Sequence, residues 1–218
     1  MVAMGINNEG HKEILAIEPM ENESKDTWAL FFNKLKNRGM QKVGLVVSDA
    51  HAGIQAALKS AFIGSAWQRC KVHFMRNILA KIPHKHKALI GKQLSHIFNQ
   101  ENYDQAKQIA MEVIQKFNTK FPDAIETLSD GLEDALQFFH FDELPYGRTS
   151  STNHLERLNL EIRRRSNVVG ISPSTDSFLW LIGSYLLEYQ ADWATSKAYI
   201  RPDKLDLFYV NNLERKVA

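Results

Sequence analysis

The chain has 218 residues, 44% of them hydrophobic, with 27 Lys and Arg against 25 Asp and Glu and a formal net charge of +2. That is an ordinary globular composition, suited to one large domain or a domain with an insertion. No signal peptide or apolar run of membrane-spanning length is seen, which disfavours secretion and membrane insertion; the single cysteine, Cys70, excludes an internal disulfide and points to a reducing, cytoplasmic setting.

Residues 2–6 and 12–17 read as antiparallel strands joined by a turn at Asn7-Asn8-Glu9-Gly10, with Gly10 suited to the turn. Residues 25–38 form a helix with Trp28, Leu30, Phe31, Phe32 and Leu35 as its apolar face and Gly39 just past its end. Val43, Leu45, Val46 and Val47 leave no polar face, so residues 43–47 read as a buried strand, which ends on Ser48-Asp49-Ala50-His51. A helix over 53–62 carries Ile54, Ala57 and Leu58, a short strand covers 66–68, and another helix covers 72–80. This alternation predicts an α/β fold with a mixed sheet under helical covers.

From 87 to 139 the pattern is helical almost throughout. Leu89, Ile90, Leu94 and Ile97 make one stripe, and Ala106, Ile109, Ala110, Val113, Ile114 and Phe117 make a second; Pro122 and Gly131 mark breaks. This block reads as an all-helical insertion whose aromatic residues are core rather than DNA-stacking groups. Pro145-Tyr146-Gly147 is a loop, and Ser150, Ser151 or Thr152 caps a helix over 153–166 that buries Leu155, Leu158 and Ile162. A very apolar helix over 173–193 covers the sheet, and nothing definite is read beyond Pro202.

The small net charge hides a layout. Residues 50–100 hold eight Lys and Arg and no acid; residues 101–145 hold ten acids against Lys107, Lys116 and Lys120; residues 146–170 hold five arginines against Glu156 and Glu161. Basic tracts of this size favour a polyanionic partner, the alternative being a solvated lysine-rich surface.

Two carboxylates stand out as candidates for metal-dependent work on phosphate. Asp49, where a strand meets its loop, is suited to holding a divalent cation or equally to capping the next helix. Glu156 shares a helix side with Asn159 and Arg163; its plainer reading is a surface salt bridge to Arg163 or Arg157. Arg163, Arg164 and Arg165 point three ways around the helix, so at most two face one phosphate. Cys70 and His73 form C-x2-H, and His84 and His86 would complete a zinc set. Zinc fingers generally take two cysteines, so a buried structural Cys beside a hydrogen-bonded His is preferred.

The segments SDAHAGIQAAL, WQRCKVHFMRNIL and STNHLERLNLEIRRRSNVVG, in that order, resemble the mutator-type transposases of bacterial insertion sequences, the IS256 family. The resemblance runs from the hairpin to Trp193. It implies an RNase H-like catalytic domain (1–82 and 146–200) interrupted by a helical insertion (83–145), with a C-terminal tail (201–218). It implies a DDE carboxylate triad that binds two Mg²⁺ or Mn²⁺ ions, with Asp49 as the second Asp and Glu156 as the Glu. Cys70 and His73 match the family's C-x2-H signature and take a structural or site-shaping role. The implied partner is DNA, at the element ends and the target, gripped by Arg157 and Arg163–Arg165 with Lys71 and Arg76 as lesser contacts. A homo-oligomer assembled on DNA is also implied.

The triad's first Asp would lie on a strand ahead of the hairpin, and Glu9, Glu13 and Glu18 do not match it. The chain therefore reads as an N-terminally truncated transposase, nearly inactive by itself in strand transfer and prone to self-association through 2–6. Two other readings stand beside it: a non-catalytic DNA-binding or oligomerising remnant that modulates an intact transposase, and another RNase H-like nuclease or resolvase.

Overall fold

The computed structural model describes residues 1–20, 22–40, 42–170 and 174–214. In chain order they form β1 (Val2–Ile6), β2 (Lys12–Ile17), α1 (Lys25–Asn37), β3 (Leu45–Ser48), α2 (Ala52–Ala61), β4 (Ala66–Arg69), α3 (Lys71–Ala80), α4 (His84–Phe98), α5 (Tyr103–Phe117), α6 (Pro122–Leu136), a 3₁₀ turn (Gln137–His140), α7 (Tyr146–Thr149), α8 (Asn153–Val169), α9 (Thr175–Thr195) and α10 (Pro202–Glu214). No helix among these residues is long and apolar enough to cross a membrane. The fold is mixed α/β and mostly helical. It divides into two compact units, the first made of Met1–Gly44, Ala52–Gly64 and Asn153–Ala218, the second of Leu45–His51 and Ser65–Thr152.

In the first unit, β1 and β2 pair antiparallel, with an irregularity between Ala3 and Met4. The turn between them needs a left-handed residue, and Gly10 supplies it at φ +84°. Helix α1 starts on a reciprocal cap: Ser24 Oγ accepts the Thr27 amide, and Thr27 Oγ1 accepts the Ser24 amide. It ends, as expected, on Gly39. With Gly39 at φ +101°, its own amide reaches Lys36 C=O and the Met40 amide reaches Leu35 C=O, closing a Schellman motif. The apolar face of α1 packs on α2, where the Phe32 and Phe62 rings meet edge to face at 5.7 Å. Helix α9 covers the hairpin, as its composition predicted: Ile182 and Leu186 join Leu158 and Ile162 of α8 in a core flanked by Val2, Ile14 and Ile17. The predicted start of that helix at Pro173 lies outside the described residues. The tail, unread from sequence, is helical as α10, and Phe208 lies so close to Gly44 that a Cβ there would sit 2.5 Å from its ring.

In the second unit, β3 and β4 pair in parallel from Leu45↔Ala66 to Ser48↔Arg69. Three expectations change here. The strand begins at Leu45 rather than Val43, and its residues are half-buried rather than buried. The single mixed sheet is two separate two-stranded ladders among the described residues. Each ladder is covered by its own helix: α9 lies on β2 in one unit, and α6 packs on β4 in the other.

The helical block forms one core from Phe74, Ile78, Ile90, Leu94, Ile97, Val113, Leu128 and their neighbours across α3 to α6. Most of the predicted stripes are inside, but Leu89 is 52% exposed, because α4 turns Ile90 and Leu94 inward instead. Pro122 opens α6 at a position where a missing amide costs nothing. Gly131 is no break: it lies within α6, where a Cβ would come within 2.1 Å of the Arg69 guanidinium and 2.7 Å of the Phe74 ring. The glycine is there for close packing, not for a turn. His84 and His86 are in the first turn of α4, and Tyr146-Gly147 belongs to α7 rather than a loop.

Candidate functional site

Strand β3 delivers Asp49 to its carboxyl end, and two contacts fix that end. The Trp67 indole donates to Ser48 Oγ at 2.9 Å, and the Cys70 amide donates to Ser48 C=O at 2.7 Å. Asp49 is exposed, and its carboxylate accepts no hydrogen bond and joins no ion pair among the described residues, so it does not cap α2.

Cys70 is the N-cap residue of α3 and is fully buried. Its Sγ accepts from both the amide (3.4 Å) and the hydroxyl (3.3 Å) of Thr152, and the adjacent Lys71 amide donates to Ser150 C=O at 2.9 Å. The first turn of α3 therefore holds the segment that leads into α8. His73 is half-buried one turn along α3, and Arg76 is exposed a turn further. Lys71 is half-buried with its Nζ 5.8 Å from the Phe138 ring, and burial lowers its pKa. His84 and His86 join no cluster of three potential metal ligands among the described residues, which removes the zinc alternative that used them.

In the first unit, Glu156 is half-buried in the first turn of α8, where the helix dipole favours a carboxylate. Asn159 is half-buried one turn on, and Arg157 and Arg163 are exposed. The arginine run divides in three. Arg163 has no ion-pair partner among the described residues, Arg164 lies 3.8 Å from Glu161, and the Arg165 guanidinium sits 4.5 Å from the centre of the Tyr185 ring. Arg163 and Arg157 are thus the exposed cations of this helix best placed to meet an outside anion. Asp49 belongs to the second unit and Glu156 to the first.

Sequence reasoning missed the groups that anchor these positions: Ser48, Trp67 and Thr152. Trp67 and Ser48 stand 19 residues apart and Thr152 and Cys70 stand 82 apart, so no local spacing signals either contact.

The mixed α/β chain thus carries an acidic residue at an anchored strand end and a separate helix rich in arginine. Residues 1–196 match the family described as "Transposase, Mutator family", and the chain belongs to that family. It is 38% identical over 205 residues to the transposase for insertion sequence element ISRM5 of Rhizobium meliloti, covering 94% of this chain and 52% of that protein. It is 37% identical over 206 residues to the transposase for IS256 in transposon Tn4001 of Staphylococcus aureus, covering 93% and 53%. Against the transposase for IS1081 of Mycobacterium tuberculosis it is 35% identical over 200 residues, covering 92% and 48%. The chain spans about half the length of these curated relatives.

Proposed function

We propose that this chain forms part of the catalytic portion of an insertion-sequence transposase with an RNase H-like core. Asp49 and Glu156 serve as ligands for Mg²⁺ or Mn²⁺, and the substrate is DNA. The family match spans both carboxylates and the whole of the arginine-rich helix, and this observation carries the reading. The donor set fits a hard cation: two carboxylates, with Asp49 exposed and uncommitted to any partner among the described residues. When bound, the cation supplies Lewis acidity at the phosphate oxygens and to the attacking water.

The reaction is phosphodiester exchange in two steps. Water attacks the phosphate at the element end and a 3′-hydroxyl leaves; that hydroxyl then attacks a target phosphate, forming the new phosphodiester as the target strand's own 3′-hydroxyl is displaced. The chain's own part is to hold and orient. The indole of Trp67 and the amide of Cys70 keep the end of β3 fixed, so the Asp49 carboxylate needs little reorganisation before use. Arg157 and Arg163 project from α8 toward solvent and suit bidentate contact with backbone phosphates. Arg164 and Arg165, engaged with Glu161 and Tyr185, contribute less, as do Lys71 and Arg76. Cys70 and His73 shape the site rather than react. Assembly as a homo-oligomer on DNA is part of the same proposal.

Calorimetric titration with Mn²⁺ tests the reading. Asp49→Asn and Glu156→Gln each weaken binding by about tenfold or more, about 1.4 kcal/mol, while thermal melts in EDTA stay close to the parent. Unchanged Mn²⁺ affinity in both variants overturns the assignment.

A further inference from the structure

The acid-free tract 50–100 has a use in the second unit that the carboxylate site does not absorb. There, α3 and α4 border a shallow groove of about 500 Å³. It is lined by the small residues Ala88, Gly91 and Ser95, at positions that share one face of α4, and by Lys87, Lys92 and His96. Three independent features suit this groove to a phosphate backbone.

The first is charge. Neither lysine makes an ion pair or hydrogen bond among the described residues, and no acid occurs in α3 or α4; the acids of residues 101–145 fall on α5, α6 and the turns beside them. The second is the tautomer of His96. The Gln100 side-chain amide nitrogen lies 3.2 Å from His96 Nδ1 and 2.6 Å from His96 C=O. The carbonyl can only accept, so that nitrogen is the donor; in a neutral ring Nδ1 then accepts and Nε2 carries the proton, which suits it to donate to an oxygen. The third is Gly91. A glycine inside a helix costs about 0.5–1 kcal/mol relative to alanine, yet a Cβ there would meet only Leu79 Cδ1, at an ordinary 3.7 Å. Internal packing does not require it, whereas close approach of a ligand backbone would. From Lys87 to His96 the helix advances about 13 Å, the axial length of about four phosphate spacings of one strand.

We propose that this groove docks the sugar-phosphate backbone of duplex DNA, with phosphates against Lys87, Lys92 and His96. The proposal rests on the reading above that DNA is the substrate, but not on Asp49 or Glu156. The test is the salt dependence of binding of the purified chain to a duplex of arbitrary sequence, followed by fluorescence anisotropy. Each lost phosphate contact lowers the slope of log K against log salt by about 0.9, so K87Q/K92Q lowers it by about 2. The control K36Q/K59Q removes the same charge from exposed positions on α1 and α2 and leaves the slope near the parent's. Equal slopes for the two double variants, or a parent chain that does not bind duplex DNA, overturn the proposal. The Mn²⁺ titration separates the two readings. A lowered slope in K87Q/K92Q with Mn²⁺ affinity untouched by Asp49→Asn and Glu156→Gln keeps the groove and removes only the carboxylate assignment.

Discussion

Replacing Gly10 with alanine destabilises the chain by about 3 kcal/mol or more. Three costs converge on this position. Its φ of +84° is left-handed, which penalises a residue with a Cβ by about 1–2 kcal/mol. The added Cβ would stand 1.8 Å from the Ile200 carbonyl oxygen, a backbone atom that cannot rotate aside. If the chain at Ile200 shifts to make room, it loses the hydrogen bonds that Tyr199 and Ile200 donate to Gly10 C=O, at 2.7 and 3.1 Å; each is worth about 1 kcal/mol. Gly183→Ala is the matched comparison, because that glycine lies inside α9 and a Cβ added to it would meet nothing within 4 Å. It gains about 0.5–1 kcal/mol from helix propensity. Urea unfolding of the two variants checks both signs, and a Gly10→Ala chain as stable as its parent contradicts the seating of residues 199–200 on the hairpin turn.

The second large effect is in the other unit. Gln68 is fully buried on β4, and its side chain ties that strand to the end of α6. Its Oε1 accepts the Phe138 amide at 2.7 Å, and its Nε2 donates to Ala135 C=O at 2.9 Å. Gln68→Leu keeps much of the volume but leaves a buried N–H and a buried C=O without partners. At about 1–3 kcal/mol for each orphaned group, the loss is about 2–6 kcal/mol. Hydrogen exchange localises it: the Phe138 amide loses protection well before those of α5. Loss of less than about 0.5 kcal/mol, the range of ordinary surface changes, contradicts the buried bridge.

The same two residues mark where sequence reading succeeds and stops. Gly10 was legible because a turn residue between two short apolar runs has a local cause, and Gly39 was legible for the same reason at the end of α1. The very apolar composition of residues 173–193 announced a covering helix, and α9 is one. Gln68 was not legible, since its partners lie 67 and 70 residues away and nothing near a polar residue in a short strand says that it is buried. Gly131 misled for a related reason: a glycine in a helix looks like a break until the Arg69 and Phe74 side chains that press on it are known. Leu89 and Ile90 are adjacent apolar residues, and periodicity alone did not decide which faced the core. Of the candidate site, Asp49 and Glu156 stood out in the sequence itself, and the roles given to them came from the resemblance to a family to which the chain belongs. The anchoring of β3 by Trp67 and Cys70 came only from the fold.

Iron(II)-directed hydroxyl-radical cleavage of the folded chain tests most directly whether Asp49 and Glu156 serve one cation. Iron held at a shared site cuts the backbone in two places, near the end of β3 and in the first turn of α8, and either Asp49→Asn or Glu156→Gln abolishes both sets of cuts. Cuts confined to one of those segments, or a second set that survives loss of the other carboxylate, contradict the shared site.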